Sequence, residues 1–533
     1  MVVNQVTKLA WRPLAVLASA QALLVLDNSL GGVSTPSIVG SLGVDINAVQ
    51  AVLTLSALVI AACLLTAGKL GDVIGRRTAL LVGLSIRVVG SGLAALAPNL
   101  ALFGLGEAVL ESIGGALATT AAAALIAETF VGAGRVRAYA MVGVFCASAM
   151  ALGPVVGGWV IGVWTWRAVF ALEACLALLL IPLSLLWVKG GQRSEAPERL
   201  DVVGATLSGL GLVLVVLGMQ QSANSGWWFA YRDAPSWWGL SPVVFIIAAG
   251  IGVLTLFVRW EAFAKRVGKP TLFDTDLVRL APLRATFLTG IAGQAAATGM
   301  YFIYPLFLLL VVGLSPQMVG LLLAPAALTA CAVSILWPRL TRRLSPRRVV
   351  RLGAVSLAAA GLLALIQVSP GIGRIPISVS AALLGCGLGL LGAQLPATAQ
   401  GLVEDSRRSE TAGLLGTAQN LGAAIGFAVV GSVLVIGLSA GVRQFVVEEP
   451  SLSTNTRAVA EVAVERGVPF LPAETARQRL IAKGVARGEI DRAVAGYETS
   501  QQRALGAASL LIVGLGVAAW LLARRMPSQV PAS

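Results

Sequence analysis

The chain has 533 residues, of which 57% are hydrophobic and only 12% are charged, and its mean hydropathy is +0.86. Soluble domains carry about 25% charged residues, so this composition excludes a soluble protein and predicts an all-α integral membrane protein. The formal net charge of +14 does not indicate nucleic-acid binding here, because Lys and Arg mark the cytoplasmic loops of membrane proteins.

Long apolar stretches recur along the whole chain. A membrane-spanning helix needs about 20 mainly apolar residues, and fourteen stretches meet this requirement. An even number places both termini on one side, and most of the 39 Lys and Arg lie on that side, which predicts cytoplasmic termini. The predicted spans are at about residues 13–35, 48–67, 78–97, 100–126, 138–161, 168–188, 202–221, 240–258, 285–312, 317–337, 349–368, 376–402, 411–439 and 504–523.

Charged, proline-containing linkers divide these spans into three groups. Residues 1–195 are predicted to form a six-helix bundle, residues 196–282 hold the linkers and two inserted helices, and residues 283–533 form a second six-helix bundle. Within the last group, residues 441–503 are polar and are predicted to lie outside the cytoplasm. We interpret this segment as a solvated cap, with a docking surface for a partner as the alternative.

A short loop after the second predicted span concentrates glycine and charge. It reads GKLGDVIGRR, and its distinctive residues are Gly68, Asp72, Gly75, Arg76 and Arg77. It resembles the loop between the second and third helices of major facilitator transporters. The resemblance implies a conformational latch on the cytoplasmic side, whereas the simpler interpretation is a positively charged membrane anchor.

The same loop has a degenerate counterpart in the second half of the chain. Residues 337–348 read WPRLTRRLSPRR, with Arg342 and Ser345 at the places of the Asp and the second Gly. Two related halves are a common transporter plan. Together with the resemblance of the first loop, this repeat implies the major facilitator fold, with two six-helix bundles plus two inserted helices.

Three further stretches resemble one branch of this family. Gly153, Pro154, Gly157 and Gly158 match the Gly-Pro-x-x-Gly-Gly motif of antiporters, for which close helix packing alone is the other explanation. The LDNS stretch at 26–29, which leads to a Thr-Pro pair, and residues 409–431 also resemble the fourteen-helix drug:proton antiporters. The branch usually has an Arg in its fourth helix, where this chain has Ala108.

Four ionisable residues fall at similar depth near the outer ends of the first, third and fourth spans. They are Asp27, Arg87, Glu107 and Glu111. Charged groups inside a membrane are costly and usually face a partner or a water-filled cavity, so we expect these four to couple transport to protons. A structural ion pair between Arg87 and one of the two Glu residues is the alternative. Glu173, near the outer end of the sixth span, is expected to reach the interface instead.

The second half has no acidic residue within a predicted span. Its candidate substrate contacts are polar or aromatic: Gln294, Tyr301, Tyr304, Gln394, Gln419 and Asn420. Carboxylates opposite aromatic rings suit amphipathic, cationic small molecules. The chain has no His, and its five Cys lie in apolar runs, so neither a metal nor a cofactor is expected.

These features together predict a proton-coupled multidrug efflux transporter of a bacterial inner membrane that works by alternating access. Its expected partners are small-molecule substrates, protons and the lipid bilayer, without nucleic acid, and the expected working unit is a monomer. No paired nucleophile and base or phosphate-binding loop suggests an enzyme. The alternatives are a dedicated exporter of a lipid, siderophore or antibiotic, and an uncoupled transporter-like sensor or assembly protein.

Overall fold

The computed structural model describes residues 11–528, apart from residues 45, 131, 191–200, 229, 231–234, 270, 273–274, 315, 341–343, 368–373, 405–406, 450–451, 467 and 469. The described residues contain fourteen helices of at least 21 residues and no β-strand. The long helices are α1 (Trp11–Leu42), α2 (Ile46–Ile74), α3 (Arg76–Leu96), α4 (Leu100–Thr129), α5 (Gly132–Val163), α6 (Trp166–Trp187), α7 (Val202–Ser225), α8 (Pro242–Arg266), α9 (Ala281–Leu306), α10 (Pro316–Leu340), α11 (Pro346–Ile366), α12 (Arg374–Gly401), α13 (Arg408–Glu448) and α14 (Arg487–Leu522).

The helices have the length and composition of membrane spans. Within the described part of the chain, ten are long and apolar enough to cross a bilayer, and Arg137–Met150 and Met318–Ser334 are shorter apolar stretches. A helix satisfies all its backbone hydrogen bonds internally, which a segment surrounded by lipid requires. The predicted all-α membrane fold is confirmed, while the number of fourteen spans stays a prediction.

The two halves pack in the same way. In the first half, α3 lies against α4 and α6, and α1 lies against α5. In the second half, α11 lies against α12 and α14, and α9 lies against α13. The contacts of α1, α3, α4, α5 and α6 thus recur eight helices later, as expected for two related bundles separated by an inserted pair.

Of the two inserted helices, α7 lies against both halves of the protein. Helices α7 and α8 pack on each other, and α7 also contacts α2 of the first half and α13 of the second. The hydroxyl of Ser222 on α7 lies 3.2 Å from that of Ser432 on α13. A Cβ added to Gly209 on α7 would lie 3.4 Å from the carbonyl oxygen of Ala62 on α2. Helix α7 therefore contacts both bundles.

Side chains join the halves at the end of the bundle that is predicted to be cytoplasmic. The Tyr139 hydroxyl at the start of α5 lies 2.7 Å from Oε1 of Gln400 at the end of α12. Arg408, only 2% exposed, donates from Nη1 to the carbonyl oxygen of Ala127 near the end of α4 (3.5 Å). These contacts hold the two bundles together at this end in the conformation described.

The polar segment between α13 and α14 folds into two short helices, Thr454–Arg466 and Ala473–Ala482. The carboxylate of Glu489 accepts hydrogen bonds from the Thr456 hydroxyl and from the backbone and hydroxyl of Ser453. These bonds, the Thr456 hydroxyl foremost, lower the pKa of Glu489. Helices α13 and α14 continue past the predicted span ends at 439 and 504, so they form the two ends of the polar segment and the two short helices lie between them.

Candidate functional site

Helices α3 and α4 approach each other backbone to backbone. A Cβ added to Gly83 on α3 would lie 2.6 Å from the backbone nitrogen of Ala118 on α4, and one added to Gly114 on α4 would lie 2.6 Å from the carbonyl oxygen of Gly83. Gly90 is equally tight, at 2.6 Å from the nitrogen of Glu111. Small residues allow this approach in membrane helices. The glycines therefore bring the α3 face that carries Arg87 directly onto the acidic part of α4.

The acidic part of α4 is not a regular α-helix. Residues Leu105–Glu111 form a π-helical turn that contains both Glu107 and Glu111. Both carboxyl side chains point inward, with exposed fractions of 3% and 0%, whereas Leu105 is 46% exposed. Such π turns are rare and often occur at functional sites. The π turn thus places both Glu residues on the inward side of α4.

Arg87 is the centre of the buried charge cluster. It is 1% exposed, and its Nη2 lies 2.5 Å from Oε1 of Glu111 and 3.8 Å from Oδ2 of Asp27. Helices α1, α3 and α4 therefore each contribute one group to the same contact. Among the described residues the close ion pair is with Glu111, while Glu107 lies near enough to interact electrostatically with Asp27 and Glu111.

Glu173 on α6 also belongs to this cluster. Its side chain is 0% exposed, and one of its oxygens lies within 4.8 Å of an oxygen of Asp27 and of Glu111. The expectation that it reaches the interface is wrong. The spacing of Trp166, Phe170 and Glu173 could have indicated this, because residues three and four apart lie on the same side of a helix. All three are buried, so Glu173 lies on the stripe of α6 that faces the bundle.

The cluster holds more acid than base. Four carboxyl groups surround one guanidinium group, and Oδ1 of Asp27, Oε2 of Glu107 and Oε2 of Glu111 are buried without a hydrogen-bond partner among the described residues. An unpaired buried charge costs several kcal/mol, so the cluster cannot hold four negative charges. Asp27, Glu111 and Glu173 are close enough to share a metal ion, but Arg87 already supplies positive charge to Glu111. Protonation of some of these carboxyl groups therefore removes the excess negative charge more readily than a metal ion would.

The predicted latch joins helix ends. Gly75 has a φ of +94°, a conformation that favours glycine, and it separates α2 from α3. Arg76 begins α3, and its Nε lies 3.3 Å from Oδ1 of Asp72, while its Nη1 lies 3.3 Å from Oε2 of Glu128 at the end of α4. These ion pairs connect α2, α3 and α4 within the first half.

Two other latch residues extend these connections. Arg77 donates from Nη2 to the carbonyl oxygen of Leu185 at the end of α6 (2.6 Å). Gly68 on α2 faces α13, since a Cβ added to Gly413 would lie 3.9 Å from its Cα. In the related loop of the second half, Arg342 lies outside the described residues. Gly68 thus gives the latch a contact with the second half.

The glycine motif of α5 is tight at only one end. A Cβ added to Gly153 would clash with the Ser29 side chain of α1, at 1.6 Å from its Oγ. Gly157 is buried, but Gly158 is exposed and a Cβ there would meet nothing within 4 Å. The side chain of Pro154 lies outside the described part. Close packing of this motif therefore holds for Gly153 and is wrong for Gly158.

Two glutamines of the second half each donate to a threonine one turn further along the same helix. The Nε2 of Gln294 on α9 donates to Thr298 Oγ1 (3.4 Å), and the Nε2 of Gln394 on α12 donates to Thr398 Oγ1 (3.2 Å). Gln419 on α13 is half-buried. A role for these amides in substrate binding stays a prediction.

The remaining candidate substrate contacts have different surroundings. Tyr304 is 2% exposed in the core of the second half, and its hydroxyl lies 3.5 Å from Oε1 of Gln367. Tyr301 is half-buried and packs against the same core. Asn420 is exposed and donates to the carbonyl oxygen of Gly416 on its own helix (2.9 Å). In the conformation described Tyr304 packs in the core, and the roles of Tyr304, Tyr301 and Asn420 in substrate binding stay predictions.

The fold and the buried charges define a multi-pass membrane transporter built from two similar halves, and not an enzyme. The family model of the Major Facilitator Superfamily matches residues 17–427. The chain therefore belongs to the Major Facilitator Superfamily, which confirms the resemblance found in the sequence.

Named relatives include an antibiotic resistance protein and a multidrug efflux pump. The chain is 29% identical to the puromycin resistance protein pur8 of Streptomyces alboniger, over 79% of this chain and 81% of that protein. It is 28% identical to the multidrug efflux pump LfrA of Mycolicibacterium smegmatis, over 80% of this chain and 81% of that protein. The human organic anion transporter MFSD10 (TETRAN) has a similar fold, with a TM-score of 0.59 and 14% identity over 96% of this chain and 99% of that chain.

Proposed function

We propose that this protein exports amphipathic, cationic small molecules in exchange for protons, by alternating access in a bacterial inner membrane. The observation that carries the proposal is the buried guanidinium of Arg87, which lies between the carboxylates of Glu111 and Asp27 at 2.5 and 3.8 Å. When one of these two carboxylates takes up a proton, the pairing of Arg87 shifts towards the other.

The geometry suggests how the proton acts. When Glu111 takes up a proton, its attraction for Arg87 falls and the pairing of Arg87 with Asp27 gains in relative strength. Asp27 lies on α1 and Glu111 on α4, so the exchange of partners pulls on two different helices of the first half. Alternating access requires such a coupling between a local charge and the position of helices.

The substrate class rests on the chemistry of the site and on the relatives. A cluster with more acid than base attracts organic cations once it has released protons, and the half-buried ring of Tyr301 offers an aromatic surface in the other half. LfrA is named as a multidrug pump and pur8 for puromycin resistance. We therefore propose ethidium and puromycin as first test substrates.

The remaining parts of the proposal concern setting and energy source. The termini lie in the cytoplasm, because positive charge concentrates on their side, and the inter-half contacts of Tyr139 and Arg408 then close the cytoplasmic end. The working unit is a monomer. The proton gradient is the only energy source, with no cofactor, metal or nucleic acid involved.

Transport in proteoliposomes tests this function. The purified protein should accumulate ethidium against its gradient when a pH difference of about one unit is imposed, and should not do so without it. Asp27→Asn should abolish accumulation but leave downhill movement, because the path itself stays intact. Asp276→Asn, on a side chain that is 54% exposed, is the matched control and should transport normally.

Two results would contradict the proposal. Equal ethidium accumulation with and without the pH difference would indicate an uncoupled protein, such as a sensor or assembly partner. Full uphill transport by Asp27→Asn would show that this carboxyl does not take part in coupling.

A dedicated exporter is the second candidate function, and the name of pur8, which refers to a single antibiotic, favours it. A panel of dyes and antibiotics separates the two candidates. A multidrug transporter accumulates several unrelated cations in the same vesicles, whereas a dedicated exporter accumulates one compound and its close analogues.

A further inference from the structure

Glu173 is a buried acid that the sequence did not place in the coupling site. We infer that Glu173 binds and releases a proton of its own in each transport cycle, adding one proton to those exchanged by the groups around Arg87. The inference rests on the proposed function, because it concerns the number of protons that drive the same exchange.

The first support is the isolation of the Glu173 carboxyl. The side chain is 0% exposed, and neither of its oxygens has a hydrogen-bond partner among the described residues. No cation of the described part lies within 4.0 Å of it, whereas Arg87 has both Glu111 and Asp27 within that distance. An ionised carboxylate that has neither a protein donor nor a close counter-ion is strongly disfavoured in a membrane interior. Glu173 is therefore neutral in the conformation described.

The second support is the set of charged groups that face Glu173 from the helices packed around it. Helix α1 presents Asp27, α3 presents Arg87, and α4 presents Glu107 and Glu111. Oxygens of Asp27 and Glu111 lie within 4.8 Å of an oxygen of Glu173. Since Arg87 is already shared by two carboxylates, a third negative charge here would meet repulsion that the single guanidinium does not offset.

These two facts tie the Glu173 proton to the conformation of the protein. Helix α6 packs against α1 and α3, so Glu173 meets water only when these helices move apart. Its proton stays bound while the site is closed and leaves when the site opens. A proton that is bound in one conformation and released in another is a coupled proton.

The number of coupled protons is measured from the final gradient of substrate. Proteoliposomes with equal potassium on both sides and valinomycin have no membrane potential, so the logarithm of the ethidium ratio rises with the imposed pH difference with a slope equal to the proton number. We expect a slope of at least two for the unmodified protein. Glu173→Gln keeps the size of the side chain and should lower the slope by one, which is tenfold less accumulation for one pH unit.

Two variants act as controls. Glu173→Asp retains a carboxyl and should keep the slope of the unmodified protein. Glu498→Gln makes the same chemical change at an exposed position on α14 and should also keep it. A merely structural role for Glu173 would lower the amount of folded protein or the rate of transport, but it would not change the slope.

The outcomes separate this inference from the proposed function. A slope of zero for the unmodified protein overturns the proposed function and this inference with it. An unchanged slope in Glu173→Gln, with pH-dependent transport intact, overturns the inference alone. If Glu173→Gln does not fold, dicyclohexylcarbodiimide, which modifies protonated carboxyls in apolar surroundings, is applied to the unmodified protein. Mass spectrometry should then find modified Glu173, and modification of Asp27 without Glu173 between about pH 5 and 9 overturns the inference.

Discussion

Removal of the Arg87 side chain should destabilise the protein strongly. Arg87 is 1% exposed, and its ion pair with Glu111, which is 0% exposed, measures 2.5 Å. Breaking a buried pair by removing one partner costs about 3–5 kcal/mol, because the other charge stays buried without compensation. We therefore expect Arg87→Ala to lower the free energy of unfolding by about this amount.

A double-mutant cycle identifies the partner of Arg87. In a Glu111→Gln background the carboxylate is already absent, so Arg87→Ala should cost less than in the unmodified protein, with a coupling energy of about 1–3 kcal/mol. In a Glu107→Gln background the pair with Glu111 persists, and Arg87→Ala should keep its full cost. The measurement is denaturant unfolding in detergent micelles, followed by tryptophan fluorescence.

The control is Arg279→Ala, on a side chain that is 75% exposed, which should change stability by no more than about 0.5 kcal/mol. An Arg87→Ala protein as stable as this control would show that the buried ion pair does not stabilise the fold. Equal compensation by Glu107→Gln and Glu111→Gln would show that Glu111 is not the specific partner of Arg87.

Three other predictions concern packing, the outer segment and the latch. Gly114→Ala places a Cβ 2.6 Å from backbone atoms and should cost about 1–3 kcal/mol, whereas Gly92→Ala, with nothing within 4 Å, should be neutral or stabilising in the same unfolding assay. The hydrogen bonds to Glu489, that from Thr456 foremost, lower the pKa of this carboxyl group. The ionised carboxylate therefore stabilises the fold above the unfolded pKa of about 4.3, and this stabilisation is lost as the pH falls through the folded pKa. Limited proteolysis of residues 441–503 should therefore become faster below about pH 4, and Glu489→Gln should already be cleaved faster than the unmodified protein at pH 7. Equal cleavage of Glu489→Gln and the unmodified protein contradicts this. Asp72→Asn should leave the protein inserted but slow the exchange between conformations, and normal transport rates for this variant would argue against a latch.

Much of the architecture could be predicted from the sequence, because membrane insertion depends on local properties. The length of apolar runs, the position of Lys and Arg and the glycine-rich loop around Asp72 are all readable residue by residue. Depth within a span is also a local property, since it follows from counting residues from the nearest turn. The placement of Asp27 at the level of Arg87 was predicted in this way, and the structure brings their side chains to 3.8 Å.

Only the tertiary structure decided which side chains meet at that depth. The direction in which a residue points depends on how its helix is rotated against its neighbours, and this rotation is set by packing between helices that are distant in the sequence. The glycine contacts of α3 with α4 and the π turn at Leu105–Glu111 select Glu111 as the close partner of Arg87. The rotation of α6 turns Glu173 into the bundle. Counting residues along the chain gives only the depth of Glu173, and this depth suggested the membrane interface. Composition and depth are set by the sequence of each span alone, whereas the identity of a buried ion pair requires several helices to be packed together.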